Sequence, residues 1–306
     1  MRNGLKSNME MSGKVDRRTL YVSDLDGTLL GADSRISTVS RGMLRKSIAS
    51  GTLFTVATAR TPATVSSILA GIDMPLPAIV MTGSALWDTR TGEYTDVKFI
   101  ETETAGQIYD ICRKHQLPTF IYTLSDNLLH IYFSGEMTDT ERKFMDDRKY
   151  SPYKCFHINE IPAHLDNVIL FYAMRPKESV EPVYRELREL NCNPVYYFDI
   201  FGPDTAILEV FSPEASKAAA VRNLANRYDA GRIMAFGDNV NDLPMLRAAD
   251  IGVAVGNAIE EVKDAADEVI GINTADSVAN FILDDSMGNH MGKDSISKDE
   301  IPDCRM

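Results

Sequence analysis

The sequence predicts an α/β protein: a doubly wound, Rossmann-like parallel sheet whose chain is interrupted by an inserted α+β domain. Three observations predict it. Short apolar runs at 19–23, 53–57 and 78–81 each stop at polar, chemistry-bearing residues, and a helical pattern lies between them. That rhythm breaks near Ala85, and up to about Ile200 the segments become more amphipathic. The rhythm then returns, with a helical stretch at 216–228 and buried-type runs at 232–236 and 251–255. Alternating strand and helix builds a parallel sheet. Amphipathic strands in succession build an antiparallel one with helices on one face.

The stretch TLYVSDLDGTLL at 19–30 anchors the rest. Its strand, 19–23, ends at Asp24-Leu25-Asp26-Gly27. Side chains alternate along a strand, so Asp24 and Asp26 are expected to converge at its C-terminal edge. Gly27 permits a sharp turn just beyond. That edge is where open α/β sheets bind ligands. Two acids so close repel unless a cation or a shared proton relieves them. A solvated acidic turn is the bland alternative, but an apolar strand seldom ends in D-x-D-G-T by accident.

Residues 36–50 have helical spacing through Met43, Leu44 and Ile48, with Gly51 as C-cap. The strand 53–57 ends at Thr58-Ala59-Arg60, and Pro62 opens a helix over 62–70. The strand 78–81 ends at Thr82-Gly83-Ser84. In the insertion, strands are expected at 92–100, 167–174 and 195–200. Helices are expected at 103–115, 138–149 and 178–190. A hairpin, 119–124 with 128–134, turns at Asp126-Asn127. After the helix 216–228, the strand 232–236 ends at Gly237-Asp238, and a short helix covers 241–248. A strand at 251–255, a helix at 259–265, a short strand at 268–270 and a helix at 277–283 complete the pattern. The expected division is a core of 19–84 and 201–285, an insertion of 85–200, and disordered tails at 1–18 and 286–306.

The chain has 306 residues, enough for about two domains. Its net charge of −12 argues against a broad phosphate-contacting surface for nucleic acid. The four cysteines form no C-x-x-C pair, so neither a zinc site nor a disulfide framework is indicated, and a reducing cytoplasm is the expected location. There is no apolar run of membrane-spanning length. The basic N-terminal stretch lacks the apolar core of a secretory signal. Oligomeric state is not legible.

The polar residues gather at strand ends. Asp24 and Asp26 follow the first strand and Thr58 the second; Lys217 opens the helix after the insertion; Asp238, Asn241 and Asp242 follow the next strand. Edges of one parallel sheet share one crevice. Such oxygen-rich ligands suit Mg²⁺. A carboxylate can attack phosphorus and form an aspartyl phosphate. A second acid can protonate the leaving oxygen and later deprotonate water. Lys217, Thr58 and Asn241 can hold phosphate oxygens. Alone, Thr58 reads as a β-branched strand end and Lys217 as a solvated helix residue; the set gives each its weight. Arg60 stands between a substrate contact and a structural ion pair. His115, His130, His157 and His164 have no metal-ligand spacing and read as structural or surface residues. Trp87, Asp126 and Arg175 read as surface residues, with a pocket-lining role as the alternative.

DLDGTL at Asp24, the strand ending in Thr58, the lone Lys217 and GDNVND at 237–242 resemble, in that order, the four motifs of the haloacid dehalogenase-like hydrolase superfamily. The large insertion between the Thr and Lys motifs resembles the Cof-like sugar-phosphate phosphatase branch, subfamily IIB. The resemblance spans about 20–283. It implies Asp24 as nucleophile and Mg²⁺ ligand, and Asp26 as general acid/base that lends its backbone carbonyl to the metal. It implies Asp238 as the third protein ligand. Thr58, Lys217, Asn241 and the backbone at Leu25 and Ala59 would bind phosphate, and Asp242 would lie in the metal's outer shell or orient Lys217. The insertion would be a cap that selects the substrate. Three positions depart from the family pattern: Ala59 replaces a usual Gly, Thr82 a usual Asn, and Ala218 a usual Gly.

The expected function is therefore Mg²⁺-dependent hydrolysis of a small-molecule phosphate ester: a sugar phosphate, a nucleotide or a cofactor phosphate. A phosphomutase using the same nucleophile is the enzymatic alternative. A dehalogenase would not need the acid at Asp26. A non-catalytic phosphometabolite-binding protein would be expected to lack Asp24, Asp26 or Asp238, and all are present.

Overall fold

All but the first residue of β1 (Thr19–Ser23) is buried, as in a strand covered on both faces. In the computed structural model, which describes residues 18–198 and 205–288, this strand lies inside the molecule. Of the disordered tails expected at 1–18 and 286–306, residues 1–17 and 289–306 fall outside the described residues, as does the end of the strand expected at 195–200, while Ser286 closes the last helix and is not tail. From β1 the chain runs through α1 (Thr38–Ala49), whose N-cap Ser37 accepts from Ser40 N, to β2 (Leu53–Val56) and α2 (Pro62–Leu69). Next come β3 (Ala78–Val80), β4 (Ala85–Trp87) and β5 (Tyr94–Thr95). They precede α3 (Thr102–Lys114), β6 (Phe120–Ser125), β7 (Leu128–Phe133) and α4 (Asp139–Asp146), which a Thr138/Glu141 capping box starts. Then follow β8 (Lys154–Ile158), β9 (Val168–Pro176), α5 (Lys177–Leu187), β10 (Asn193–Phe198) and β11 (Thr205–Phe211). The chain returns through α6 (Lys217–Arg227), β12 (Arg232–Gly237), α7 (Leu243–Ala248), β13 (Ile251–Ala254), α8 (Glu260–Ala265), β14 (Glu268–Val269) and α9 (Ser277–Ser286).

The core sheet has the order β14-β13-β12-β1-β2, every pair parallel. A parallel bridge from Ala57 to Ile79 continues it to β3. Helices α1 and α9 pack on each other, as do α6 and α7. The second sheet has the order β10-β11-β9-β6-β7-β8, antiparallel except between β7 and β8. One face buries Leu129, Ile131 and Phe133 in an apolar cluster that runs on into the core. The other face, with Ile121, Phe171 and Leu208, packs with Ile108 and Val180 of α3 and α5. At the hairpin turn Asp126 and Asn127 have φ of 49° and 58°, the primed-turn geometry that matches strand twist. No helix among the described residues is long and apolar enough to cross a membrane.

The structure departs from the sequence reading in four places. The strand expected at 92–100 shrinks to β5, because Asp96 takes a left-handed φ of 51°. The break at Ala85 does not lead directly into the second sheet: β4 and β5 fold back, antiparallel, onto β3. β8 and β11 were not expected, since Lys154 and Glu209 put charged residues at buried positions of their runs. Thr205–Phe211 pairs with β9 and β10, so the second sheet continues past the core boundary expected at 201.

Candidate active site

β1 stops at Ser23, and the site begins where it stops. Asp24 is extended (φ −62°, ψ 162°), and its N–H donates to the Phe236 carbonyl at 3.0 Å. The chain then winds into one irregular turn at Leu25–Leu29, with Gly27 at φ 78°. That φ favours glycine, and the space requires it, since a Cβ there would sit 2.3 Å from Asp238 Oδ2. Thr28 Oγ1 donates to Asp238 Oδ1 at 2.8 Å, so the turn after β1 holds the carboxylate that follows β12.

Lys217 is the first residue of α6, behind the Ser216 N-cap. Its side chain is 3% exposed, and its ammonium donates to Asp24 Oδ1 at 2.6 Å and Asp242 Oδ1 at 2.7 Å. Asp242 Oδ2 accepts from the backbone N–H groups of Asp238 and Asn239, at 3.2 and 3.3 Å. Both Asp242 oxygens are thus engaged, in a residue that is wholly buried.

Oxygens of Asp24, Asp238 and Asp242 lie within 4.8 Å of one another. Three carboxylates against one ammonium leave two negative charges without a partner, the deficit a divalent cation fills. Burial pushes the Asp24 carboxyl up to about 7; Lys217 opposes this and Asp242 adds to it. Burial also pushes Asp238 up to about 6, against the Thr28 hydrogen bond. Burial works against the Lys217 charge, yet Asp24 and Asp242 hold its pKa above the usual lysine value.

Asp26 corrects one expectation. Its carboxylate does not join that group, because the chain has left the strand and the period-two alternation no longer applies. Arg60 Nε and Nη2 hold it in a bidentate pair at 2.7 and 2.5 Å, and the Asp26 side chain is 53% exposed. Arg60 is therefore an ion-pair residue at the rim of the site. Thr58 is buried at the end of β2, and its Oγ1 accepts from Arg60 N at 3.1 Å. Leu25 is buried, Ala59 half-buried, and Asn241 exposed in a 3₁₀ turn at Val240–Asp242.

The loop after β3 is strained: Met81, Thr82 and Gly83 all have positive φ, which is costly for β-branched Thr82. A Cβ on Gly83 would lie 2.4 Å from the Ser216 carbonyl, so this turn abuts the N-cap that places Lys217. Gly83→Ala is expected to cost about 2–3 kcal/mol in thermal unfolding and to lower turnover with it. Unchanged stability would show that the contact is not needed.

Sequence reasoning missed Glu209. It is buried on β11, its carboxyl raised to about 7 by burial, while Tyr197 and then Lys217 pull it down. The faint signal was a lone acid in an otherwise apolar run. Trp87 is buried against Tyr153, not on the surface. Arg175 is committed to Glu141, through contacts of 2.8 Å from both Nε and Nη2. Asp126 occupies the hairpin turn.

The haloacid dehalogenase-like hydrolase description matches residues 21–282. The 5-amino-6-(5-phospho-D-ribitylamino)uracil phosphatase YcsE of Bacillus subtilis is 26% identical over 266 residues, covering 86% of this chain and 94% of that protein. A haloacid dehalogenase-like hydrolase from Bacteroides thetaiotaomicron superposes with a TM-score of 0.70 at 25% identity, over 87% of this chain and 98% of that one. A subclass IIB sugar phosphatase of the same superfamily shares the fold, with a TM-score of 0.68 at 23% identity, over 89% of this chain and all of that one.

Proposed function

The chain belongs to the haloacid dehalogenase-like hydrolase family and is a phosphoric monoester hydrolase; from that premise we propose that it dephosphorylates a small metabolite through a phosphorylated Asp24, with Mg²⁺ in the carboxylate group. The observation that carries this reading is the buried Lys217 ammonium shared by Asp24 and Asp242 beside Asp238. The donor set is all oxygen and its charge is short by two, which fits a hard divalent cation. Asp24, Asp238 and the Asp26 backbone carbonyl would hold it. The bound ion would neutralise phosphate charge and let Asp24 ionise.

The residues then divide the work. Ionised Asp24 attacks phosphorus, and the ester oxygen departs with a proton from Asp26. Lys217, Thr58, Asn241 and the N–H groups of Leu25 and Ala59 hold the phosphoryl oxygens. Asp26 then takes a proton from water, which attacks the acyl phosphate and releases Asp24 and inorganic phosphate. Arg60 holds the Asp26 carboxylate in an exposed bidentate pair, so that pair must open for Asp26 to reach the leaving oxygen. The second sheet acts as a cap, with Glu209 the buried cap acid whose charge feels Lys217. Substrates are small phosphate esters, the class to which the ribitylaminouracil phosphate named for the Bacillus relative belongs.

Chelation is expected to abolish hydrolysis of an aryl phosphate and Mg²⁺ to restore it. Asp26→Asn is expected to slow turnover about 10²- to 10⁴-fold while rapid quench still shows a burst of phosphoenzyme, because an aryl leaving group needs little protonation. Full activity after exhaustive chelation, or no phosphoenzyme at any time, would overturn the mechanism.

A further inference from the structure

The second sheet carries another cluster of ligand-type side chains. β7 and β8 run parallel in a register that pairs His130 with Cys155 and Tyr132 with His157. Along β7 the buried residues are Leu129, Ile131 and Phe133, so His130 and Tyr132 share the opposite face. His130 Nδ1 and His157 Nε2 are 3.0 Å apart, and Tyr132 stacks flat on the His157 ring at 4.5 Å. One donor atom each from His130, Cys155 and His157 falls within a 4.8 Å group. The remaining ring nitrogen of His157, Nδ1, faces Glu160 Oε2 at 3.7 Å.

We propose that His130, Cys155 and His157 form a zinc site on the cap, separate from the carboxylate group in the core. A histidine pair sharing one hydrogen bond would explain the 3.0 Å contact alone. It does not explain the thiol converging on the same point, or the carboxylate behind the far nitrogen of His157. A carboxylate there orients a ligating imidazole and raises its basicity. Zn–N bonds of about 2.0–2.1 Å in a tetrahedral site put two ligand nitrogens about 3.3 Å apart, so a few tenths of an ångström of side-chain movement admits the ion. Two imidazoles and a thiolate favour Zn²⁺ over Mg²⁺, whereas the all-carboxylate core group favours the reverse. All three ligands are half-buried, which leaves the fourth position to water. β8 is the edge strand and reaches β7 only after the α4 crossover. The ion would clip that edge to its neighbour, a structural task distinct from catalysis.

The test uses the full-length protein in saturating Mg²⁺, with Co²⁺ as spectroscopic probe and Zn²⁺ measured against a chromophoric chelator. One equivalent of Co²⁺ is expected to produce a thiolate-to-cobalt charge-transfer band, which the sulfur-free core group cannot give. Cys155→Ser should remove the band and Cys192→Ser should leave it. His130→Asn and His157→Asn should each weaken Zn²⁺ binding at least about tenfold, and Glu160→Gln about tenfold. Phosphatase activity of each variant monitors the fold. In the unmutated protein, Zn²⁺ should protect Cys155 from alkylation and leave Cys192 reactive, a readout independent of variant folding. No band, a band that survives Cys155→Ser, or no protection of Cys155 overturns the site.

Discussion

Asp24→Asn is expected to remove turnover, by about 10⁴-fold or more, and at the same time to raise the melting temperature of the metal-free protein above neutral pH. The two effects share one cause. The carboxylate is nearly buried, and burial with the Asp242 and Asp238 charges outweighs Lys217, so its pKa rises to about 7. In the unfolded chain it titrates near 3.9. Between those values the folded state binds more protons than the unfolded state, so this group's contribution to stability falls as pH rises through the window. At pH 8 the wild type carries a desolvated charge that the amide lacks. Below pH 4 the Asp24 carboxyl takes up its proton in the folded and the unfolded chain alike, and the advantage should vanish. Turnover of an aryl phosphate, rapid-quench labelling, and thermal melts in chelator at pH 5 and pH 8 measure all of this. A variant that keeps near-normal turnover, or that melts lower than wild type at pH 8 in chelator, would show that Asp24 is not the desolvated nucleophile described.

Lys217→Ala has the largest expected effect on stability, a loss of about 3–5 kcal/mol, because it leaves buried charge without its partner. The ammonium is the cation that the structure places against both Asp24 and Asp242. Lys217→Met, which keeps the aliphatic volume, should lose nearly as much, and that separates charge from packing. Lys217→Arg should not rescue, since a planar fork cannot replace a compact ammonium between two carboxylates. Stability of the alanine variant should recover as pH falls from 8 to 5, because Asp24, raised by burial, loses the Lys217 charge that pulls it down and takes up a proton more readily. The catalytic loss should reach about 10²- to 10³-fold, as for removal of an oxyanion donor. Urea unfolding across that pH range and steady-state kinetics decide it. A loss under about 1 kcal/mol would mean that Lys217 is not buried between these two acids in solution.

What could be read in the chain itself is what local spacing encodes. An apolar run that stops at Asp24, a glycine two residues before Asn239 and five before Asp242, and a lysine opening a helix each hold their geometry within one strand end or one turn. Covalent geometry and short-range sterics act there whatever the rest of the molecule does. The parallel core, its order of elements and the meeting of Asp24, Lys217, Asp238 and Asp242 at one sheet edge follow from those local signals and the rule that parallel strands present their ends together. The tertiary structure decided the rest. It turned Asp26 away from Asp24 to Arg60, kept Thr205–Phe211 in the second sheet, buried Trp87, and set His130 beside Cys155 and His157 across 25 and 27 residues. Those outcomes depend on which strand pairs with which and in what register. A shift of one residue reverses every side chain's face, and nothing in a short window of sequence specifies a partner so far along the chain.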